Sequence, residues 1–316
     1  MLISTPSREY RSWTTDSRRW AHYSPREGDI VIATPPKCGT TWMQQIVSLL
    51  VFQSPEPKPI QILSPWIDMR APPIADVMAL IEAQTHRRFL KSHLSFDAIP
   101  IHDDVRYIHV ARDGRDAFMS WHNHASHYSA QSLAVMNYLG EQDETIRRPL
   151  PRPAENPHDY FQTWMTEGPE ARLADDFPAA AYFDIERSYW AERVRPNLLL
   201  VHYNDLKIDL DCEMRRVAEF LGIDVPAAAW QALVEAADFD SMKKNGATLL
   251  PRAALSWDKG HERFLNRGTN ARWRKALTAE DGALYEARAA RELSHGLARW
   301  LERGRLVAGD PRETED

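Results

Sequence analysis

The chain has 316 residues, 43% hydrophobic and 27% charged, with a formal net charge of −6 and a pI near 6.1. That length allows one large domain or two small ones with a sizeable buried core, and the acidic balance excludes a general binder of nucleic acid or of anionic membranes. Two cysteines, Cys38 and Cys212, exclude a disulfide framework and a cysteine metal site and fit a reducing compartment.

Met1–Tyr10 has no apolar run of signal-peptide length, and no window approaches the ~18 apolar residues of a membrane helix. A cytoplasmic protein with no membrane partner is the expectation. In chain order, the first apolar run is Asp29–Ala33 (DIVIA), a strand feeding the loop PPKCGTT. A helix follows over Thr41–Phe52, with Trp42, Ile46, Leu49 and Leu50 at helical spacing. Further strands are predicted around Arg88–Leu90 (with its flanks), over Arg106–Ala111 and over Asn197–His202, and a helix over Glu213–Leu221. These strands lack alternation, as strands covered on both faces do. Arg147–Pro157 holds four prolines and reads as a linker. The segments together predict an α/β fold: one domain over residues 1–309 with a central, mostly parallel sheet flanked by helices. Residues 129–157 are expected to be a flexible insertion, suited to a lid, and 310–316 a frayed tail.

Ligands of such sheets collect at the carboxyl ends of the strands. The residues with most chemistry stand there: Lys37 after the first strand, Lys91 and His93 at the second, Arg112 after the third and Tyr203 after the fourth. In the first loop Gly39 permits a tight turn, and Thr40 or Thr41 can cap the helix. The free N–H groups of that helix end, its dipole, the hydroxyls and the Lys37 ammonium all favour an anion. The Walker order, a Gly heading the loop and a Lys after the second Gly, is absent, because Lys37 precedes Gly39. That disfavours a magnesium-nucleotide kinase or hydrolase. A non-catalytic nucleotide binder is the other alternative, and the intact Lys37, Lys91 and His93 speak against it.

The string PPKCGTTW resembles the 5′-phosphosulfate loop of the cytosolic-type sulfotransferase family, a likeness of the kind seen in bacterial members. The resemblance spans about Asp29 to Arg274, and five landmarks occur in the family's order. It implies a single α/β domain, 3′-phosphoadenosine 5′-phosphosulfate (PAPS) as sulfuryl donor, no metal, and a small-molecule acceptor. Lys37, Cys38, Gly39, Thr40 and Thr41 would hold the 5′-phosphosulfate. FLKSHL matches the family's Lys-x-His-Leu stretch, giving Lys91 as a second cation and His93 as general base, since an imidazole can take a hydroxyl proton near neutral pH. Arg112 and Ser120, eight residues apart, match the residues on the 3′-phosphate; the alternative is a surface Arg112 paired to Asp113 or Asp116. Phe264–Trp273 (FLNRGTNARW) resembles the loop that closes over that phosphate: Arg267 and Gly268 match, while Asn266 replaces a basic residue that Arg272 could supply. Trp42, Tyr203 and Phe239 match the aromatic walls of the adenine pocket. Trp13, Trp20, Tyr23, Trp66, Tyr138, Tyr160, Phe161 and Trp164 are candidates for a lipophilic acceptor pocket; a phenolic or other hydroxyl, or an amine, is the expected nucleophile. The family's dimer motif is broken around Arg274–Ala283, which leaves monomer or homodimer open.

Overall fold

A computed structural model describes residues 1–166 and 179–316 of the chain. Six strands are present among them: β1 (Leu2–Ser4), β2 (Ile30–Ala33), β3 (Phe89–Ser92), β4 (Ile101–His102), β5 (Arg106–Ala111) and β6 (Leu198–His202). β1 and β4 form a small antiparallel pair, and the other four form a parallel sheet in the order β3-β2-β5-β6. Ile30 stands opposite Phe89 on one side and Arg106 on the other, and Tyr107 stands opposite Leu198.

The sheet is buried on both faces because each strand is apolar at successive positions, and successive side chains point to opposite sides. Val31, Ala33, Leu90, Tyr107 and Leu200 belong to one core, with Phe118, Phe161, Trp164 and Tyr182 from helices on that side. Ile30, Ile32, Phe89, Ile108 and Val201 belong to the other, with Met43, Ile46, Val217 and Leu233. The helices that matter for the site are α1 (Thr40–Phe52), α2 (Gly114–Ala125), α3 (Ala130–Glu141) and α4 (Ala179–Ala191). β2 is central: the chain leaves it toward β3 on one side, then returns to β5 on the other. The carboxyl ends of β2 and β5 therefore flank a topological switch point, where a ligand crevice is expected.

Two segments expected to be loose carry tertiary contacts. Residues 129–157 are pinned to the rest of the chain at several points. Ser129 caps α3 by accepting from Ser132 N, and Met136 and Leu150 pack with Trp13, whose Nε1 donates to Arg148 O at 2.9 Å. Arg11 and Arg70 reach the fully buried Asp143 at 2.8 and 3.0 Å. The prolines signal an interrupted backbone, and its anchors Arg11, Trp13 and Arg70 lie far away in sequence. Residues 310–316 are likewise tied down: Asp316 accepts from Trp190 Nε1 (2.7 Å) and Ser294 Oγ (2.6 Å), and Pro311 is buried. In the region of the broken dimer motif, Thr278 forms a capping box with Asp281 at the start of the helix Ala279–Glu292.

Gly140 lies against Trp13: a Cβ there would come within 2.3 Å of its ring and 2.6 Å of Arg148 O. Gly140→Ala is expected to lower stability by about 1–3 kcal/mol through overpacking. Thermal denaturation checks this, and an unchanged melting temperature would show that the Trp13 cluster yields without cost.

Candidate active site

β2 ends at Ala33, and the chain turns through Thr34–Gly39 into α1. The turn is tight because Lys37 (φ 69°) and Gly39 (φ 120°) both occupy positive-φ conformations. At Gly39 a Cβ would stand 3.1 Å from the Tyr203 ring and 3.2 Å from Val110, so the loop backbone lies directly on the sheet end. α1 begins at Thr40 with Gly39 as N-cap and no side-chain cap, which corrects the expectation that Thr40 or Thr41 caps it. The Thr40 hydroxyl instead bonds that of Thr34. The N-terminal amides of α1 thus have no capping side chain, which suits an anion.

One cavity of about 300 Å³ opens over this loop. Lys37, Gly39, Thr40, Thr41, Trp42, Lys91, His93, Arg112, Ser120, Tyr203, Phe239, Arg267 and Gly268 all line it. The structure therefore brings together every predicted site residue except Cys38. The Cys38 side chain is fully buried in the core and does not line the cavity, since the Lys37–Gly39 turn points it inward. Burial raises its thiol well above the usual range. It is no longer a candidate for side-chain contact with a ligand.

The chemistry is concentrated at the ends of β2 and β3. His93 Nδ1 lies 2.8 Å from the Thr34 carbonyl. A carbonyl only accepts, so Nδ1 carries the proton and Nε2 of the neutral ring is left as the basic nitrogen. Burial, then Lys91 and Lys37, lower the His93 pKa well below the ordinary imidazole value, which keeps the ring neutral. The Lys91 ammonium lies 4.2 Å from the Trp66 ring centroid, and Trp66 meets His93 edge-on at 4.9 Å. Buried Asp68 accepts from Trp66 Nε1 at 2.6 Å and Trp20 Nε1 at 3.1 Å, fixing that wall. Burial pulls Lys91 down to about 8; burial with Lys91 and Arg112 nearby pulls Lys37 down to about 7.

At the other end, Arg112 lies 4.2 Å over the Tyr203 ring and donates to Thr269 O (3.2 Å) and Asn270 Oδ1 (2.9 Å) of the C-terminal loop. The predicted alternative of pairing with Asp113 or Asp116 is not seen. Asp113 is taken by Arg115 at 2.6 Å, and Asp116 accepts from Ala271 N at 3.0 Å. Arg112 Nε is buried without a partner among the described residues, an orphan donor that an anion would satisfy. Arg267, Arg272 and Asn266 line the same region. The Arg272 pKa is lowered by burial and by Arg267 and Arg112, so three guanidiniums lie near one another on this side of the cavity. Gly268 (φ 62°) leaves room for Phe239, whose ring a Cβ would approach to 2.7 Å. Trp42 donates Nε1 to Ala237 O and meets Tyr203 edge-on at 5.2 Å, forming with Phe239 an aromatic slot.

Of the aromatics proposed for an acceptor pocket, Trp13 and Trp66 line the cavity. Trp20, Tyr23, Tyr160, Phe161 and Trp164 are core residues, and Tyr138 is 64% exposed. Tyr10, Trp121, Tyr128 and Trp257 line the cavity without having been singled out. So does His124, whose Nδ1 lies 3.1 Å from Lys37 Nζ. Its sequence signal was the four-residue spacing from Ser120, which puts both on one helix face.

Residues 27–295 match the family model described as "Sulfotransferase domain". A protein of Mycobacterium tuberculosis named "Glycolipid sulfotransferase" is 33% identical over 94% of each chain. "Sulfotransferase 1C2" of Homo sapiens is 25% identical over 84% of this chain and 82% of its own. Among solved structures, mouse sulfotransferase SULT7A1 complexed with PAP superposes with a TM-score of 0.64 at 18% identity, covering 90% of this chain and 92% of that one. Retinol dehydratase in complex with androsterone and inactive cofactor PAP superposes with a TM-score of 0.66 at 21% identity, over 89% and 87%.

Proposed function

Since the chain belongs to the sulfotransferase family, we propose that it transfers the sulfuryl group of PAPS to a hydroxyl (or amine) of a small lipophilic or phenolic acceptor, with His93 as general base. The observation that carries this reading is the meeting of Lys37, Lys91, His93 and Arg112 in one cavity, with the basic nitrogen of His93 left free by the Thr34 carbonyl.

PAPS supplies the sulfuryl group and departs as the 3′,5′-bisphosphate. Arg112, Arg267 and Arg272 hold its 3′-phosphate, a task for which planar guanidiniums are suited. Trp42, Tyr203 and Phe239 receive the adenine, with Gly268 giving Phe239 room. Ser120 on α2 joins the guanidiniums at the 3′-phosphate, while Gly39, Thr40, Thr41 and the N-terminus of α1 receive the 5′-phosphosulfate. His93 Nε2 takes the acceptor proton as the nucleophile attacks in line with the leaving oxygen. Lys37 and Lys91 stabilise the charge that builds on the leaving and sulfuryl oxygens, and they act in a site with little water to screen them. The acceptor lies among Trp13, Trp66 and their aromatic neighbours; the name of the mycobacterial relative agrees with a lipid-bearing hydroxyl.

Calorimetric titration with adenosine 3′,5′-bisphosphate tests the donor site, with ATP–Mg alongside. Metal-independent binding of the bisphosphate and weaker binding of ATP–Mg are expected; the reverse order would favour a phosphoryl transferase. Proton linkage gives a second test. The free protein holds Lys37 near 7 and Lys91 near 8, and a bound anion raises both. At about pH 7.5 the complex therefore binds more protons than the free protein. Titrations in buffers of different ionisation enthalpy are expected to show proton uptake, with affinity rising as pH falls from about 9 toward 7. Proton release would contradict this assignment of the lysines.

A further inference from the structure

Lys37 has no carboxylate partner among the described residues. The charged groups facing it are the cations Lys91, from the end of β3, and Arg112, from the end of β5; its loop neighbour Cys38 is a buried thiol, and His93 is a neutral ring. Phe264 presents its face 4.1 Å from the ammonium. Among the described residues, the polar contact of the ammonium is His124 Nδ1 on α2, at 3.1 Å. The His124 ring is itself fixed, stacked on Trp121 at 5.4 Å and packed against Trp257 at 4.7 Å and Tyr128 at 5.2 Å. Burial and the nearby Lys37, Lys91 and His93 lower its own pKa well below the imidazole range, so the ring is neutral, and opposite an ammonium, which only donates, Nδ1 is the acceptor.

The nature of the partner matters. An ammonium buried beside two other cations loses its proton readily unless something accepts a hydrogen bond from it. A carboxylate would serve, but it would also cancel the positive charge offered to an incoming anion. A neutral imidazole nitrogen accepts the bond and leaves the charge in place. We propose that His124 is a positioning residue that orients the Lys37 side chain toward the donor cavity and favours its ammonium form there. The consequence for catalysis rests on the sulfotransferase reading; the contact between the two side chains does not.

The test compares three full-length proteins without ligand: wild type, His124→Asn and His124→Phe. The Asn side chain returns an oxygen near the place of Nδ1, and Phe keeps a stacked ring with no acceptor. Lysine ε-carbons are followed by 13C NMR against pH, with the Lys37 signal assigned by its loss in Lys37→Met. The Phe variant is expected to titrate Lys37 about one pH unit lower than wild type, and the Asn variant to stay close to it. The alkaline limb of kcat/KM for PAPS moves to lower pH with Phe and not with Asn. Equal titration in all three proteins overturns the proposal, and so does an equal downward shift in both variants, which would mark His124 as packing alone. If the Phe variant does not fold, His124→Leu takes its place. The NMR measurement needs no turnover, so it stands apart from the sulfotransferase reading: wild-type protein that fails to bind adenosine 3′,5′-bisphosphate would sink that reading and leave the Lys37–His124 result intact.

Discussion

His93→Asn is expected to lower turnover by about 10²–10⁴-fold, the range a positioned general base contributes. Affinity for adenosine 3′,5′-bisphosphate should stay within a few-fold of wild type. The reasoning starts from one contact. His93 Nδ1 is bound to the Thr34 carbonyl at 2.8 Å, which directs the ring and fixes its tautomer. The Asn amide can still donate to that carbonyl, so the fold of the strand end is preserved, but it has no nitrogen able to take a proton. Because burial and two lysines hold the His93 pKa well below 6.5, the acid limb of kcat/KM is expected below the ordinary imidazole range. Steady-state kinetics over pH, with calorimetry of both proteins, decides. Undiminished turnover would remove His93 from the proton transfer. Loss of bisphosphate binding would show instead that the ring shapes the donor site.

Arg112→Ala should weaken donor binding by roughly 100-fold or more, with a smaller effect on kcat at saturation. Hydrogen bonds to charged groups contribute about 1.5–3 kcal/mol each, and each 1.4 kcal/mol is tenfold in affinity, so loss of two reaches that figure. Arg112 also bonds Thr269 and Asn270, so its removal loosens the loop that carries Arg267 and Arg272. Arg112→Lys should recover only part of the loss, since an ammonium lacks the planar fork. Bisphosphate titration of the three proteins, with melting curves as control, checks both statements. Wild-type affinity in Arg112→Ala would place the 3′-phosphate elsewhere.

Most of the sheet was legible before any coordinates. The runs DIVIA, RYIHVA and NLLLVH are apolar at consecutive positions, a pattern that only strands covered on both faces make stable. Their observed bounds differ from the predicted ones by one residue at most. The cationic half of the cavity was legible for a related reason. Parallel strands put their carboxyl ends on one edge, so residues far apart in sequence fall into one crevice once strand order is fixed. Lys37, Lys91, His93, Arg112 and Tyr203 needed no knowledge of side-chain packing to be grouped.

The aromatic half of the cavity was not legible in this way. Trp13, Trp66, Trp20 and Trp164 are alike as letters, yet two line the cavity and two fill the core. Aromatic burial satisfies either role, and only packing against distant segments separates them. The segment 129–157 illustrates the same point, since its prolines forecast irregular backbone correctly but could not reveal Asp143 held by Arg11 and Arg70.

By itself, then, the sequence determined the α/β architecture, the phosphate-binding loop and the set of strand-end cations, because these depend on local periodicity and on chain order. The tertiary structure alone decided that Cys38 turns into the core, that Arg112 is free of Asp113, that Arg272 joins the guanidinium cluster, and that His124 meets Lys37. Each of these is a question of which way a side chain points, and that is set by contacts with residues brought close only when the chain has folded.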